Sequence, residues 1–225
     1  MTFSIAGHCS RTGMAGVAIT TSSIAVGSRC PHVRAGAGAV TTQNVTDPSI
    51  GPEVLALMAS GAAASEAIAT VMDGRSHAAY RQVAAVDIEG RVAHVTGDEI
   101  LGTNAVSAGT GCVAAGNLLS STEVPTAMTQ SFESGHEQHL AERLLAALEA
   151  GIAAGGEEGP THSAALLVAH EQSWPLVDLR VDWTDACPGQ VLRTLWDAYE
   201  PQMDAYSLRA LNPVAAPSYG VPGDE

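Results

Sequence analysis

MTFSIAGHCSRTGMAGVAITT, residues 1–21, is the stretch on which the fold turns. Phe3 to His8 and Met14 to Thr21 are short runs of β-prone and small residues. Cys9-Ser10-Arg11-Thr12-Gly13 between them has the composition of a turn joining paired strands. The chain therefore starts inside a sheet. Ile24-Ala25-Val26 and Ala37 to Thr42 read as additions to that sheet, punctuated by Gly, Ser and Pro.

From Pro52 the texture changes. Gly51 precedes a proline suited to a first helical position, and Val54, Leu55 and Met58 follow at helical spacing until Gly61. A second helix carries Ile68, Val71 and Met72 and ends near Gly74. Gln82 to Ile88 and Arg91 to Thr96 then flank Glu89-Gly90, a two-residue hairpin signal. A strand-like stretch ends at Asn117. Ser120-x-x-Glu123 and Ser134-x-x-Glu137 have the form of capping boxes for two more helices. In the second, Leu140, Leu144 and Leu148 join Leu145 and Ile152 in an apolar stripe, with Glu142 and Glu149 on other faces, and Gly155-Gly156 ends it. Ser163 to Ala169 and Leu176 to Val181 read as strands, and Pro188 opens a helix bearing Val191, Leu192, Leu195, Trp196 and Tyr199. Residues 1–205 form one expected domain and 206–225 a Pro-rich tail, extended from Asn212. This order predicts an α+β fold, a four-layer αββα sandwich, over a parallel βαβ repeat.

Composition narrows the function. A chain of 225 residues that is 46% hydrophobic builds one sizeable core. A net charge of −14 argues against nucleic acid as a partner, because phosphate binding needs clustered cations. All ten basic residues are Arg. Without Lys, a Walker-A lysine, a pyridoxal Schiff base and a Lys general base are impossible, so Gly36-Ala37-Gly38-Ala39-Val40 is a tight turn or small-residue strand and not a P-loop. Cys9, Cys30, Cys112 and Cys187 make no C-x-x-C pair, and a leader pattern is missing from the first residues, which together predict a cytoplasmic protein with reduced thiols. No run approaches the roughly 18 apolar residues of a spanning helix, so no membrane role is expected. His136 and His139 share a helix face without an evident third ligand. No metal and no cofactor are predicted.

The chemistry centres on Thr2. Loss of Met1, expected before a small residue, would place a hydroxyl and a free α-amine on one residue. The amine, with a reference pKa of about 7.7 to 8.0, can take the hydroxyl proton near cellular pH. Thr2-Phe3-Ser4-Ile5 is also simply a good strand start. A wider set of segments adds weight: Met1 to Ile5, Gly16-Val17-Ala18 with Ala25-Val26-Gly27, Gly38 to Gln43, and Arg81-Gln82-Val83. Gly116-Asn117-Leu118-Leu119, Leu140 to Leu145, Gly155-Gly156, Ser163 to Leu166 and Asp178 to Asp182 follow in order. Over about residues 1 to 182 the chain resembles the bacterial family catalogued as domain of unknown function 1028, placed among the N-terminal-nucleophile (Ntn) hydrolases. The resemblance implies an αββα fold and hydrolysis of a linear or cyclic amide bond in a small molecule or peptide, with homo-oligomers common in such folds.

Given Thr2 as nucleophile, Asn117 at a strand end is the side chain expected to donate to a tetrahedral oxyanion; its alternative is to satisfy local backbone groups. Related members of the superfamily use a basic residue near the nucleophile, and here only Arg34 or Arg29 can stand in, in an electrostatic role. Arg81 offers a guanidinium fork for a substrate carboxylate, and Gln43 with Asn44 offers amide contacts. Arg143 reads as a salt-bridging helical residue. His8 and Cys9 are consecutive in a strand and cannot form a Cys-His pair. Two competing readings stand: a binding or assembly module without catalysis, and a hydrolase using Cys112 or Ser163.

Overall fold

The hairpin predicted at the start of the chain is present in the computed structural model, which describes residues 1–223. Thr2–His8 (β1) and Ala15–Thr21 (β2) pair antiparallel, with Thr2 opposite Thr21 and His8 opposite Ala15. Then follow Pro31–Arg34 (β3), Gly38–Asn44 (β4), Ile50–Ala59 (α1), Ala64–Met72 (α2), Arg81–Asp87 (β5), Val92–Thr96 (β6), Ala105–Gly109 (β7) and Cys112–Asn117 (β8). Glu123–Ser134 (α3), Leu140–Ala153 (α4), Ser163–Ala169 (β9), Val177–Val181 (β10), Pro188–Tyr199 (α5) and Met203–Leu211 (α6) complete the chain. One six-stranded sheet runs β10-β9-β2-β1-β8-β7 and one four-stranded sheet runs β3-β4-β5-β6, with every pairing antiparallel.

Strand alternation puts Thr2, Ser4, Ala6 and His8 on one face of β1 and Phe3, Ile5 and Gly7 on the other. Phe3 and Ile5 pack with Phe132, Leu144, Leu148 and Trp196 beneath α3, α4 and α5. Ala6 packs with Val17, Ile19, Ala39, Ala84 and Val86 between the two sheets. A third cluster of Val40, Ile50, Val54, Met58, Ile68 and Val83 seats α1 and α2 on the outer face of the smaller sheet. Every residue of β1, β2, β8 and β9 is buried. That burial explains their small, apolar, nearly uninterrupted composition. The charges that flank the α4 stripe join it to α5: Arg193 bridges Glu142 at 2.5 Å and Glu149 at 2.8 Å, and the Trp196 indole donates to Glu142 at 3.0 Å.

Several local expectations give way to tertiary demands. Ile24-Ala25-Val26 is no strand: Ala25 is left-handed (φ 55°) and Val26–Ser28 is a 3-10 turn. The Ala37 to Thr42 run belongs to the second sheet, not the first. Ser134 ends α3 and does not cap α4, whose first turn is capped by His139 Nδ1 accepting from the Ala141 N–H at 3.2 Å. The hairpin loop is wider than two residues, spanning Ile88 to Arg91, and the Asp87 carboxylate takes the N–H groups of Glu89 and Arg91 at 3.0 Å and of Ala64 at 3.2 Å. One carboxylate thus fixes the hairpin and the start of α2. β7 carries no strand signature in its Ala-Val-Ser-Ala-Gly sequence. At the C-terminus α6 crosses the expected boundary at 205, while Asn212 to Gly223 is almost wholly exposed; Asp224 and Glu225 lie outside the described residues.

Gly7 and Gly16 are cross-strand partners under the helices. A Cβ on Gly16 would stand 2.7 Å from Leu144 Cδ1 and 2.8 Å from the Leu167 carbonyl oxygen, so the missing side chain is the seat of Leu144. Gly16→Ala should therefore destabilise the fold by about 1–3 kcal/mol through overpacking, read as a lower urea midpoint with unchanged slope.

Candidate active site

The strand ends at Thr2, Thr21 and Asn117 meet side by side, because β1 is flanked by β2 and β8 with Thr2 in register with both partners. Thr2 is only 6% exposed. Its Oγ1 donates to the Met1 carbonyl oxygen at 2.6 Å, and the Thr21 hydroxyl donates to the same oxygen. Each hydroxyl has one proton, so the 3.0 Å approach of Thr2 Oγ1 to Thr21 Oγ1 is a contact and not a third bond. Two hydroxyls converging on one carbonyl oxygen is the donor arrangement that stabilises an oxyanion.

Behind them a buried polar chain crosses the layer between the sheets. Ser4 Oγ donates to Gln43 Oε1 at 2.6 Å, Gln43 Nε2 to Gln82 Oε1 at 2.8 Å, and Asn117 Nδ2 to the same Gln82 oxygen at 3.3 Å; Gln82 Nε2 donates to the Gly116 carbonyl at 3.2 Å. Such groups cost about 1–3 kcal/mol each if left unpaired, so the chain locks the two sheets in one relative position. Gln43 is wholly buried and both ends of its amide are engaged, so it meets no substrate: it supports the strand that carries Ser4. Asn117 does stand opposite Thr2, but its nitrogen is turned to Gln82 and its Oδ1 is buried without a partner. Thr21, unremarked in the sequence, holds the donor position expected of Asn117.

Glu157 is the second residue that sequence reasoning missed. Gly155 (φ 114°) and Gly156 (φ 58°) turn the chain sharply after α4, and a bridge to Leu119 brings Glu157 back beside the strand ends. It is 7% exposed, and neither carboxylate oxygen makes a well-formed hydrogen bond, with only the Ser22 N–H directed towards it. Burial pushes its pKa up to about 8, against the opposing pull of the chain's N-terminal ammonium. In the sequence Gly-Gly-Glu-Glu reads only as a helix stop. A cleft of about 270 Å³ opens here, lined by Phe3, Ile152, Glu157, Thr161, Asp185 and Cys187 among others.

The predicted cations divide. Arg29 stays near: it donates to Ser23 Oγ at 2.6 Å and to the carbonyls of Ile24 and Ala25, and Ser23 Oγ lies 3.4 Å from Thr21 Oγ1. It is a support to the Thr21 turn and not a substrate contact. Arg34 is exposed and shares its surroundings with Ala169 and Trp174. Ala169 pairs with Ala15, which pairs with His8, so Arg34 lies at the far end of the sheet and has no access to Thr2. Arg81 neighbours Gln82 but faces away from the intersheet chain by alternation, and it donates to the Val45 carbonyl. The rival nucleophiles are unsuited: Cys112 is fully buried with its thiol pushed up to about 12, chiefly by burial, and Ser163 Oγ donates to Ser23 O at 2.6 Å while accepting from Val26 N. His136 is exposed and His139 caps α4 while stacking on Trp196.

Non-glycine residues with positive φ also gather at this end. Ala25 (φ 55°) and Leu118 (φ 50°) follow the ends of β2 and β8, and Asn44 (φ 74°) is the last residue of β4. Asn tolerates this region; Ala and Leu store strain there, of order 1–3 kcal/mol each, as residues at functional sites do.

The fold is mixed α/β, with two antiparallel sheets and helices packed on them, and the sequence comparison gives the family. Residues 2–192 match the model of the family of unknown function DUF1028, and the chain belongs to that family. The crystal structure of protein SPO2555 from Silicibacter pomeroyi, of the same family, is 34% identical, covers 88% of each chain and superposes with a TM-score of 0.81. Anbu (ancestral beta-subunit) from Yersinia bercovieri is 12% identical over 91% of this chain and 97% of its own, with a TM-score of 0.39. No curated protein matches. No helix among the described residues is long and apolar enough to cross a membrane.

The Glu157 shift carries a sign. An acid whose folded pKa is raised binds its proton more tightly in the native state, so its contribution is fully present below the unfolded value of 4.5 and is lost as pH rises through about 8. Glu157→Gln removes that loss. The variant should match the parent in urea stability at pH 4.5 and exceed it at pH 8.5; equal midpoints at both pH values would place Glu157 in water.

Proposed function

We propose that this protein is an amide-bond hydrolase of the N-terminal-nucleophile type, with the two sheets and their helices forming the αββα sandwich of that superfamily. The observation that carries the reading is the Met1 carbonyl held by the Thr2 and Thr21 hydroxyls. Hydrolytic removal of Met1 vacates that position and frees the Thr2 amine. A substrate carbonyl entering from the Glu157 cleft would then meet a nucleophile and an oxyanion donor already in place.

In this reading the α-amine accepts the Thr2 Oγ1 proton as the oxygen attacks the carbonyl carbon, and Thr21 donates to the oxyanion. The ammonium returns its proton to the departing amine, leaving an acyl-Thr2 ester that water cleaves by the same amine's assistance. Burial keeps Glu157 neutral below about pH 8, and a neutral carboxyl does not trap the amine as ammonium. The roughly 270 Å³ cleft, with Phe3 and Ile152 on its wall, admits a small linear or cyclic amide or a short peptide. Four free cysteines suit work in the cytoplasm. One observation favours a second reading: with Met1 in place its carbonyl satisfies both hydroxyls, as it would in a binding module that keeps its first residue.

Intact mass of the purified protein, combined with an amide-hydrolysis screen, separates the two. The hydrolase reading expects loss of Met1, activity abolished in Thr2→Ala, and kcat reduced about 10²–10³-fold in Thr21→Val, the usual cost of one oxyanion donor. Retained Met1, or turnover indifferent to Thr2→Ala, would overturn it.

A further inference from the structure

One cavity of the molecule lies away from Thr2. It has a volume of about 390 Å³ and lies where β1 ends, lined by His8, Cys9, Arg11, Glu89, Glu133 and Arg143 with neighbouring backbone. His8 is six residues along the strand from Thr2, a separation of about 20 Å, so the two spaces are distinct.

The charges here are unusually placed. Arg143 is 6% exposed. Its Nε and Nη2 both donate to the Phe132 carbonyl at 3.2 Å, and its guanidinium lies 3.8 Å over the Phe132 ring, with the Cys9 thiol beside it. No carboxylate among the described residues bridges it, although the expectation from sequence was a salt bridge. A buried guanidinium without a carboxylate is costly, and this one borders an open space. Glu133 lines the same cavity and accepts from the Thr110 N–H at 2.7 Å, again with no cation bridging it. The other two charges are committed: Glu89 pairs with Arg91 at 2.9 Å, and Arg11 donates to the carbonyls of His136, Glu137 and Gln138. The His8 ring makes no hydrogen bond to any described residue.

One guanidinium and one carboxylate therefore share a cavity without bridging each other. A simple anion would satisfy Arg143 and be repelled by Glu133, and a simple cation would do the reverse. We propose that this cavity binds a small zwitterion of the free α-amino-acid class, its carboxylate on Arg143 and its ammonium on Glu133. Thr110, Glu89 and the His8 ring also line the cavity, so a side chain with a hydrogen-bonding group finds partners there. Arg143 matches a carboxylate in the forked manner that Lys cannot reproduce. The proposal stands apart from the Thr2 chemistry and needs no covalent step.

The test uses the full chain and the twenty free amino acids at 10 mM, read by thermal melting and then by calorimetric titration. A polar amino acid should raise Tm by several degrees, while its N-acetyl derivative and its carboxamide, each lacking one of the two charges, should bind at least tenfold more weakly. Glu133→Gln, an exposed change with little risk to folding, should weaken binding about tenfold, and so should Arg143→Lys; Thr2→Ala should leave it unchanged. If no free amino acid shifts the melting point, if the N-acetyl form binds as tightly, or if Glu133→Gln binds as the parent does, the zwitterion site is overturned.

Discussion

Burial of β1 on both faces is the constraint from which the other arrangements follow. A strand enclosed by helices on one side and a second sheet on the other must satisfy the polar groups of its middle internally, since water reaches it only at its ends. Along its helix side this is met with Phe3, Ile5 and the Gly7 gap under Phe132. Along its sheet side the strand carries Ser4, and Ser4 can be there only because Gln43, Gln82 and Asn117 extend the hydrogen-bond chain across to the neighbouring strands. The same chain fixes where β8 ends, and thereby which side chain stands opposite Thr2.

That enclosure has an electrostatic consequence at the strand's start. The Thr2 end holds a carboxyl without a well-formed hydrogen bond, an asparagine oxygen with no partner, and backbone strain at Ala25 and Leu118. None of these stabilises the fold; each costs free energy that the three apolar clusters must offset. Three of the seven buried polar atoms without a well-formed hydrogen bond among the described residues stand here, on Asn117 and Glu157, a local cost of the kind found where a site is held ready for a ligand. At the opposite end of the same strand the unbridged Arg143 obeys the same logic with the charge reversed.

Much of the fold could be read from residues 1–21 and from the periodic helices, because burial on both faces enforces a composition that local reasoning recognises. The place of Thr2 at the start of a buried strand was legible for a related reason. The partners were not. Thr21 is the last residue of an unremarkable β run, and only the register with Thr2 makes it a donor. Glu157 follows two glycines that announce a helix end and nothing more; its burial is decided by the path those glycines impose. Arg34 failed for the converse reason: sequence distance suggested proximity to Thr2, while the antiparallel return of β3 against β4 carries it to the other end of the sheets. Gln43 was seen at a strand end, but which face it would take depends on a sheet assignment that the sequence alone misplaced.

The absence of Lys gives the Thr2 end its particular character. A lysine beside the nucleophile could lose its proton when desolvated and so share the base's task; an Arg cannot. Arg29 is the nearest guanidinium, and it reaches the site only through Ser23 and Thr21, with its donors spent on carbonyls. Any proton leaving Thr2 must then go to the α-amine or to water. The acid on this side is Glu157, whose carboxyl is pushed up to about 8 by burial against the pull of the N-terminal ammonium of Met1. In the proposed reading, the charge beside the freed first residue is set by how dry Glu157 is kept, and that in turn by the Gly155-Gly156 turn that buries it.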